Sequence, residues 1–175
     1  MENFCQRGKI EHKNGYDVCR GEKRSGELRY DLTLLHPSAQ TSGHYHFGDE
    51  PELYEVRSGQ ALFLTQDRKA KKTYIIEAEE KDRIVFPPGH SMRTINPSKD
   101  KELIISNWVS DKTTNDYNAF KNFQESRQAE QEPIKLKPKK LPKELENLDF
   151  LNNPEKYKDI LTIKNLYERV QIYPA

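Results

Sequence analysis

Leu28-Arg29-Tyr30-Asp31-Leu32-Thr33-Leu34-Leu35 alternates apolar and polar side chains over most of its length and stops at His36-Pro37. A period of two marks a strand with one buried face, so this segment predicts a β-strand. Short runs of the same kind follow. Glu52 to Val56 and Gln60 to Gln66 hinge at Ser58-Gly59, and Lys72 to Ala78, Arg83 to Pro87, Arg93 to Ile95 and Leu103 to Val109 come after them. Such strands, about ten residues apart with turn signals between them, predict an all-β sandwich or small barrel. Nothing between residues 28 and 110 carries a helical period. The first 27 residues are polar and Gly-punctuated, with an edge strand expected from Tyr16 to Arg20.

The pattern changes after residue 111. Asn115 to Arg127 reads as helical, and Gln128 to Lys143 combines three prolines with a lysine cluster, which predicts an extended connector. Pro154 behind Asn153 fits the first turn of a helix. Ile160, Ile163, Leu166, Tyr167 and Val170 then recur at helical spacing. Their apolar stripe needs a cover, either the chain's own barrel or a second subunit. The expected organisation is an N-terminal segment (1–27), a barrel (28–118), a helix and linker (119–153) and a C-terminal helix with its tail (154–175).

Composition narrows the function classes. A chain of 175 residues suits one domain with an appendage. Charged residues make up 33% of the chain, yet the formal net charge is +1, with both signs interleaved. No global field therefore points to nucleic acid or to a membrane surface. No apolar run approaches the ~20 residues of a membrane span, and the N-terminus lacks a signal-peptide pattern. Cys5 and Cys19 are too few for a disulfide framework and too far apart for a CxxC site, so both thiols are expected to be reduced in a soluble cytoplasmic protein.

The chemistry concentrates in Thr41-Ser42-Gly43-His44-Tyr45-His46 and the following Glu52. Alternation along a strand puts His44 and His46 on one face and Tyr45 on the other. A short turn from Phe47 to Pro51 is expected to bring Glu52 back on a neighbouring strand. Two neutral imidazoles and a carboxylate, with positions left open, suit a divalent transition ion such as iron, manganese, nickel or zinc. The alternative is a pair of surface histidines near a hairpin.

His44-x-His46-x5-Glu52-x6-Gly59 resembles the first motif of the cupin superfamily, and Pro87-Pro88-Gly89 through Asn96 resembles its second. Lys81-Asp82 stands at the turn that usually carries Gly-Asp. Tyr30-Asp31-Leu32-Thr33, Thr41 to His46, Glu52-Leu53-Tyr54, Arg93-Thr94-Ile95-Asn96 and Asp116-Tyr117 are similar to the archaeal-type, metal-dependent glucose-6-phosphate isomerases. The resemblance covers roughly residues 28 to 118. It implies a single cupin barrel (a jelly-roll) carrying a C-terminal arm and helix, and a sugar-phosphate substrate. The reaction implied is interconversion of glucose 6-phosphate and fructose 6-phosphate through an enediol.

In that family the glutamate of the first motif is the base, which maps onto Glu52. His44, His46 and Glu52 map onto metal ligands. Thr41, Ser42 and Gly43 match phosphate-holding positions, with Tyr54, Arg93 and Tyr117 as further substrate contacts. The second motif departs from the pattern: Met92 stands where the family has its fourth ligand, a histidine. His90 is the nearest histidine and the candidate to replace it. Trp108-Val109 and Thr114-Asn115 also differ from the family's strings. An altered cupin that binds a sugar or sugar phosphate without tight metal, or that isomerises or epimerises another sugar derivative, is the alternative. Pairing of cupin sheets and the long C-terminal arm suggest a homodimer.

Overall fold

The computed structural model describes residues 4–48, 50–69, 72–120 and 132–170. Three antiparallel strands open the chain: Lys9–Lys13 (β1), Tyr16–Ser25 (β2) and Leu28–Leu35 (β3). Tyr45–His46 (β4), Glu52–Ser58 (β5), Gln60–Gln66 (β6), Thr73–Glu79 (β7), Arg83–Phe86 (β8), Arg93–Ile95 (β9) and Leu103–Ser110 (β10) follow. Asn115–Asp116 (β11), Ile134–Pro138 (β12) and Tyr167–Arg169 (β13) complete the set. One sheet has the order β1-β2-β3-β10-β5-β8, a second β13-β12-β7-β6-β9, and β4 pairs with β11 alone.

β7 alternates half-buried and buried residues along its length, whereas β8 and most of β6 are buried on both faces, and the inward residues of the two large sheets meet in one core. Tyr54 and Phe86 from the first sheet pack their rings at 5.3 Å, and both reach Phe63 of the second at 5.8 and 5.7 Å. Edge-to-face aromatic packing of this kind contributes beyond the area it buries. At the hinge before β8, Lys81 adopts a left-handed backbone (φ 75°), a conformation that glycine takes freely.

Two expectations change near the N-terminus. The strand beginning at Tyr16 runs on to Ser25 and lies inside its sheet; the edge belongs to β1. Cys5 and Cys19 are joined in a disulfide rather than standing as reduced thiols. It pins the N-terminal segment to β2, where Glu22 Oε2 accepts the backbone N–H groups of Gln6, Arg7 and Gly8 at 2.9, 2.9 and 3.1 Å.

The C-terminal region differs most. Of the helix expected from Asn115 to Arg127, residues 117–120 form a helical turn, while 121–131 lie outside the described residues. The connector contains β12, which pairs parallel to β7 through Ile134↔Tyr74. In place of one helix from Pro154 there are 3-10 turns, a single α-turn at Ile163–Leu166 and then β13. Local side-chain bonds compete with helix propagation here. The Asp149 carboxylate accepts from Asn153 Nδ2 (2.7 Å), Lys156 Nζ (2.9 Å) and Tyr157 Oη (2.7 Å), and Thr162 Oγ1 caps Asn165. The apolar stripe packs on its own sheets: Leu166 and Tyr167 join the core, Ile160 and Ile163 press against it, and Tyr167 Oη donates to Val85 O. Among the described residues, no helix is long and apolar enough to cross a membrane.

Candidate functional site

Residues 41–44 run as a loop along the end of the second sheet. Thr41 N–H donates to Thr94 O at 2.9 Å, and Thr94 N–H returns to Thr41 Oγ1 at 3.0 Å. His44 and Met92 exchange backbone hydrogen bonds at 3.0 and 2.9 Å. Gly43 sits between these anchors at φ 70°, and a Cβ there would collide with the Phe120 ring. Glycine is thus required both by the backbone and by the close approach.

The turn from Phe47 to Pro51 does not lead to a strand hydrogen-bonded beside β4. It crosses to the six-stranded sheet, where Glu52 opens β5 between β10 and β8. Ligand candidates therefore converge from opposite walls. His46 Nε2 lies 3.2 Å from Glu52 Oε1, while its Nδ1 faces Glu50 O at 2.7 Å. The His44 and His46 rings are 5.5 Å apart, centre to centre. One ligand atom from each of His44, His46 and Glu52 falls within 4.8 Å of the others.

Two of these groups each leave one atom unsatisfied. His44 Nε2 and Glu52 Oε2 are buried with no hydrogen-bond partner among the described residues. Buried polar atoms are nearly always paired, so such orphans mark a place built for something else. With two imidazoles and a carboxylate around one point, the donor set fits a divalent transition ion. Burial pushes the His44 pKa down to about 4, keeping the ring neutral and able to ligate. Burial also opposes charge on His46 and Glu52, but their mutual attraction and hydrogen bond outweigh it. His46 is raised and Glu52 lowered, the pattern of an ion pair.

His44 and Glu52 open onto a cavity of about 300 Å³, with His46 behind them. The candidates Thr41, Ser42, Gly43, Tyr54, Arg93 and Tyr117 all line it, together with His44 and Glu52. Arg93 donates from Nη2 to Ser42 O at 2.9 Å and stacks over Phe120, with Nε buried and unpaired among the described residues. Tyr117 packs against His44, their ring centres 5.6 Å apart.

His90 is not brought to the cluster. Its backbone bridges to Asp67, its Nδ1 faces Pro88 O at 3.1 Å, and it does not line the cavity. The Met92–His44 backbone pair sets the register, so Met92 points inward. Its Sδ accepts from Tyr54 Oη at 3.3 Å. Of the four residues expected as ligands, His44, His46 and Glu52 are brought together and His90 is left apart from them. Trp108 stacks on Tyr30 and is absent from the cavity wall, which Asn107 and Asn115 join instead.

Sequence reasoning missed the wall supplied by the first strands. Tyr16, Val18 and Arg20 of β2, with Arg29 and Thr33 of β3, face the cavity. Their two-residue spacing was a usable signal: Arg20 continues the inward parity of the buried Tyr16 and Val18.

Several solved structures share the fold at low identity. Oxalate oxidase in complex with the substrate analogue glycolate superposes with a TM-score of 0.54 and 15% identity, over 67% of this chain and 62% of that one. Peruvianin-I, a cysteine peptidase from Thevetia peruviana latex, gives 0.53 and 15% over 64% and 72%. The capsular polysaccharide assembling protein CapF from Staphylococcus aureus gives 0.50 and 11% over 61% and 29%. These likenesses establish the cupin fold and nothing of the activity. No curated protein matches the sequence. The family model "Glucose-6-phosphate isomerase (GPI)" matches residues 9–131, which include every strand that walls the cavity. The chain belongs to the glucose-6-phosphate isomerase (GPI) family of cupins.

Proposed function

We propose that the protein interconverts glucose 6-phosphate and fructose 6-phosphate. The observation that carries this reading is the pair of orphaned ligand atoms, His44 Nε2 and Glu52 Oε2, at the wall of a polar cavity in a chain of this family. An ion held by His44, His46 and Glu52 would supply Lewis-acid polarisation of the substrate's carbonyl and hydroxyl oxygens. The chain's own residues do the rest. Glu52 is ionised at neutral pH and carries the proton between C1 and C2. Of its two oxygens, the one that does not hold the ion receives the proton. Tyr54, its hydroxyl pKa raised by burial and by the neighbouring Glu52 carboxylate, stays protonated and can donate to a substrate oxygen. Thr41, Ser42, the Gly43 amide and Arg93 hold the phosphate, Arg93 bringing the positive charge.

Met92 favours a second reading: a cupin that binds a sugar phosphate with weak metal, or that acts on another sugar derivative. A thioether is a soft, weak ligand for the ions that imidazole and carboxylate prefer. The test is turnover of fructose 6-phosphate in a coupled assay, on chelator-stripped protein with Fe²⁺, Mn²⁺, Ni²⁺ or Zn²⁺ restored. Metal-dependent turnover that falls by ~10²–10⁴-fold in Glu52→Gln supports isomerisation. Folded protein inactive with every metal would sink it in favour of the second reading.

A further inference from the structure

The proposed reaction leaves the sulfur of Met92 unused. Met92 and His44 stand directly opposite one another, each donating its backbone N–H to the other's carbonyl, at 2.9 and 3.0 Å. Side chains paired in this way leave the same face with their Cβ atoms about 5 Å apart. Both line the cavity, and on that side His44 Nε2 is buried without a partner among the described residues. The sulfur is fixed from a second direction as well. Met92 Sδ accepts the Tyr54 hydroxyl at 3.3 Å, and the same hydroxyl neighbours the Glu52 carboxylate. The thioether is therefore one cross-strand pair from His44 and one hydroxyl from Glu52. A leucine would fill this buried position about as well; what sulfur adds is a donor.

A thioether is a poor donor to Fe²⁺, Mn²⁺ or Zn²⁺ and a good one to Cu⁺, a soft ion that favours sulfur and imidazole over carboxylate. The centre thus offers two overlapping donor sets. Imidazole with carboxylate, from His44, His46 and Glu52, suits a divalent ion. Imidazole with thioether, from His44 and Met92, suits Cu⁺. His46 Nε2 is already engaged by Glu52 Oε1 at 3.2 Å, so the unpaired His44 is the imidazole at hand for the soft ion. The two cysteines do not compete, because they are bonded to each other.

We propose that Met92 is a metal ligand of this centre and that the site takes Cu⁺, on His44 Nε2 and Met92 Sδ, in competition with a divalent ion. This rests on the reading of His44 as a ligand and goes beyond it in the fourth donor and in the class of ion.

The test measures both ions on the full chain. Cu⁺ is titrated against a chromogenic Cu⁺ chelator, with ascorbate keeping it reduced and the disulfide left closed, and Zn²⁺ by isothermal titration. Met92→Leu is expected to lower Cu⁺ affinity by about tenfold or more, since even an outer-shell partner is worth that much. Its Zn²⁺ affinity should stay within about twofold of the wild type. Met92→His is expected to move the two ions in opposite directions, Cu⁺ down and Zn²⁺ up. The chain has two methionines, so ¹³C-methyl labelling gives two signals, and the one missing from Met92→Leu belongs to Met92. That signal is expected to move farther with Cu⁺ than with Zn²⁺.

Wild-type Cu⁺ affinity in Met92→Leu, an equal loss for both ions, or a Met92 methyl that Cu⁺ moves no farther than Zn²⁺ does, would overturn the assignment. The wild-type spectrum decides even if both variants fail to fold, since an unfolded Met92→Leu still lacks that signal. Zn²⁺ binding that depends on His44, with no effect of Cu⁺ at Met92, removes this inference alone. Unchanged affinity for both ions in His44→Ala removes the metal reading with it.

Discussion

Two clusters in this protein have the composition of metal sites, and their fates differ. Cys5, Cys19 and Glu22 bring ligand atoms as close together as His44, His46 and Glu52 do. In the first cluster the chain satisfies every atom that matters. The sulfurs bond to each other, and Glu22 Oε2 takes three backbone N–H groups in an exposed setting. In the second, burial removes water while His44 Nε2 and Glu52 Oε2 stay unpaired. Desolvated orphans cost free energy, and that cost is tolerated where a ligand offsets it. A group of ligand types is a candidate site only where the fold leaves it unsatisfied.

The comparison breaks most directly at the histidines. His44→Ala or His46→Ala is expected to weaken Zn²⁺ or Mn²⁺ binding by more than the ~10–100-fold that loss of an outer-shell partner costs. Isothermal titration of either variant with wild-type affinity would mean that the ion does not bind there. Adding a ligand should act the other way. Met92→His places an imidazole on the cavity wall beside Tyr54 and is expected to tighten binding by about tenfold. No gain would show that position 92 cannot reach the ion.

Acidity sharpens the contrast between the two imidazoles. Metal binding needs both of them neutral. With a pKa of about 4, His44 is neutral through the whole mildly acidic range. His46, raised by Glu52, takes up its proton first as the pH falls. Affinity should therefore decline from about pH 8 to about pH 5, nearing tenfold per unit once below the His46 pKa. A flat titration across that range would contradict the assignment of His46. The smallest effect on metal belongs to the other cluster. Replacing Cys5 and Cys19 by serine should leave affinity unchanged. The same change should lower stability by ~3 kcal/mol, the loop-closure value for a separation of 14 residues, read in denaturant.

Much of the barrel was legible locally. The strands Leu28–Leu35 and Gln60–Gln66 have the bounds read from the sequence, because runs of apolar residues between turn signals report locally where a buried strand starts and stops. The pairing of His44 with His46, and the glycine between them and the Thr41 anchor, follow from spacing and backbone chemistry within a few residues.

What the sequence could not decide is where distant segments meet. Glu52 joins the facing sheet rather than a strand beside β4, so the ligands close on a point from two walls. His90 and Met92 are two residues apart, and only the backbone bridge to His44 selects which of them faces the cavity. Arg20 keeps the parity of Tyr16 and Val18, but its meeting with Asp31 depends on the register slip between β2 and β3. The C-terminal apolar residues carry a helical period, yet β12 pairs with β7, some sixty positions earlier in the chain, and β13 pairs with β12. Periodicity encodes burial of one face, and it is silent on the partner that buries it; pairing energies between remote strands outweigh local propensity.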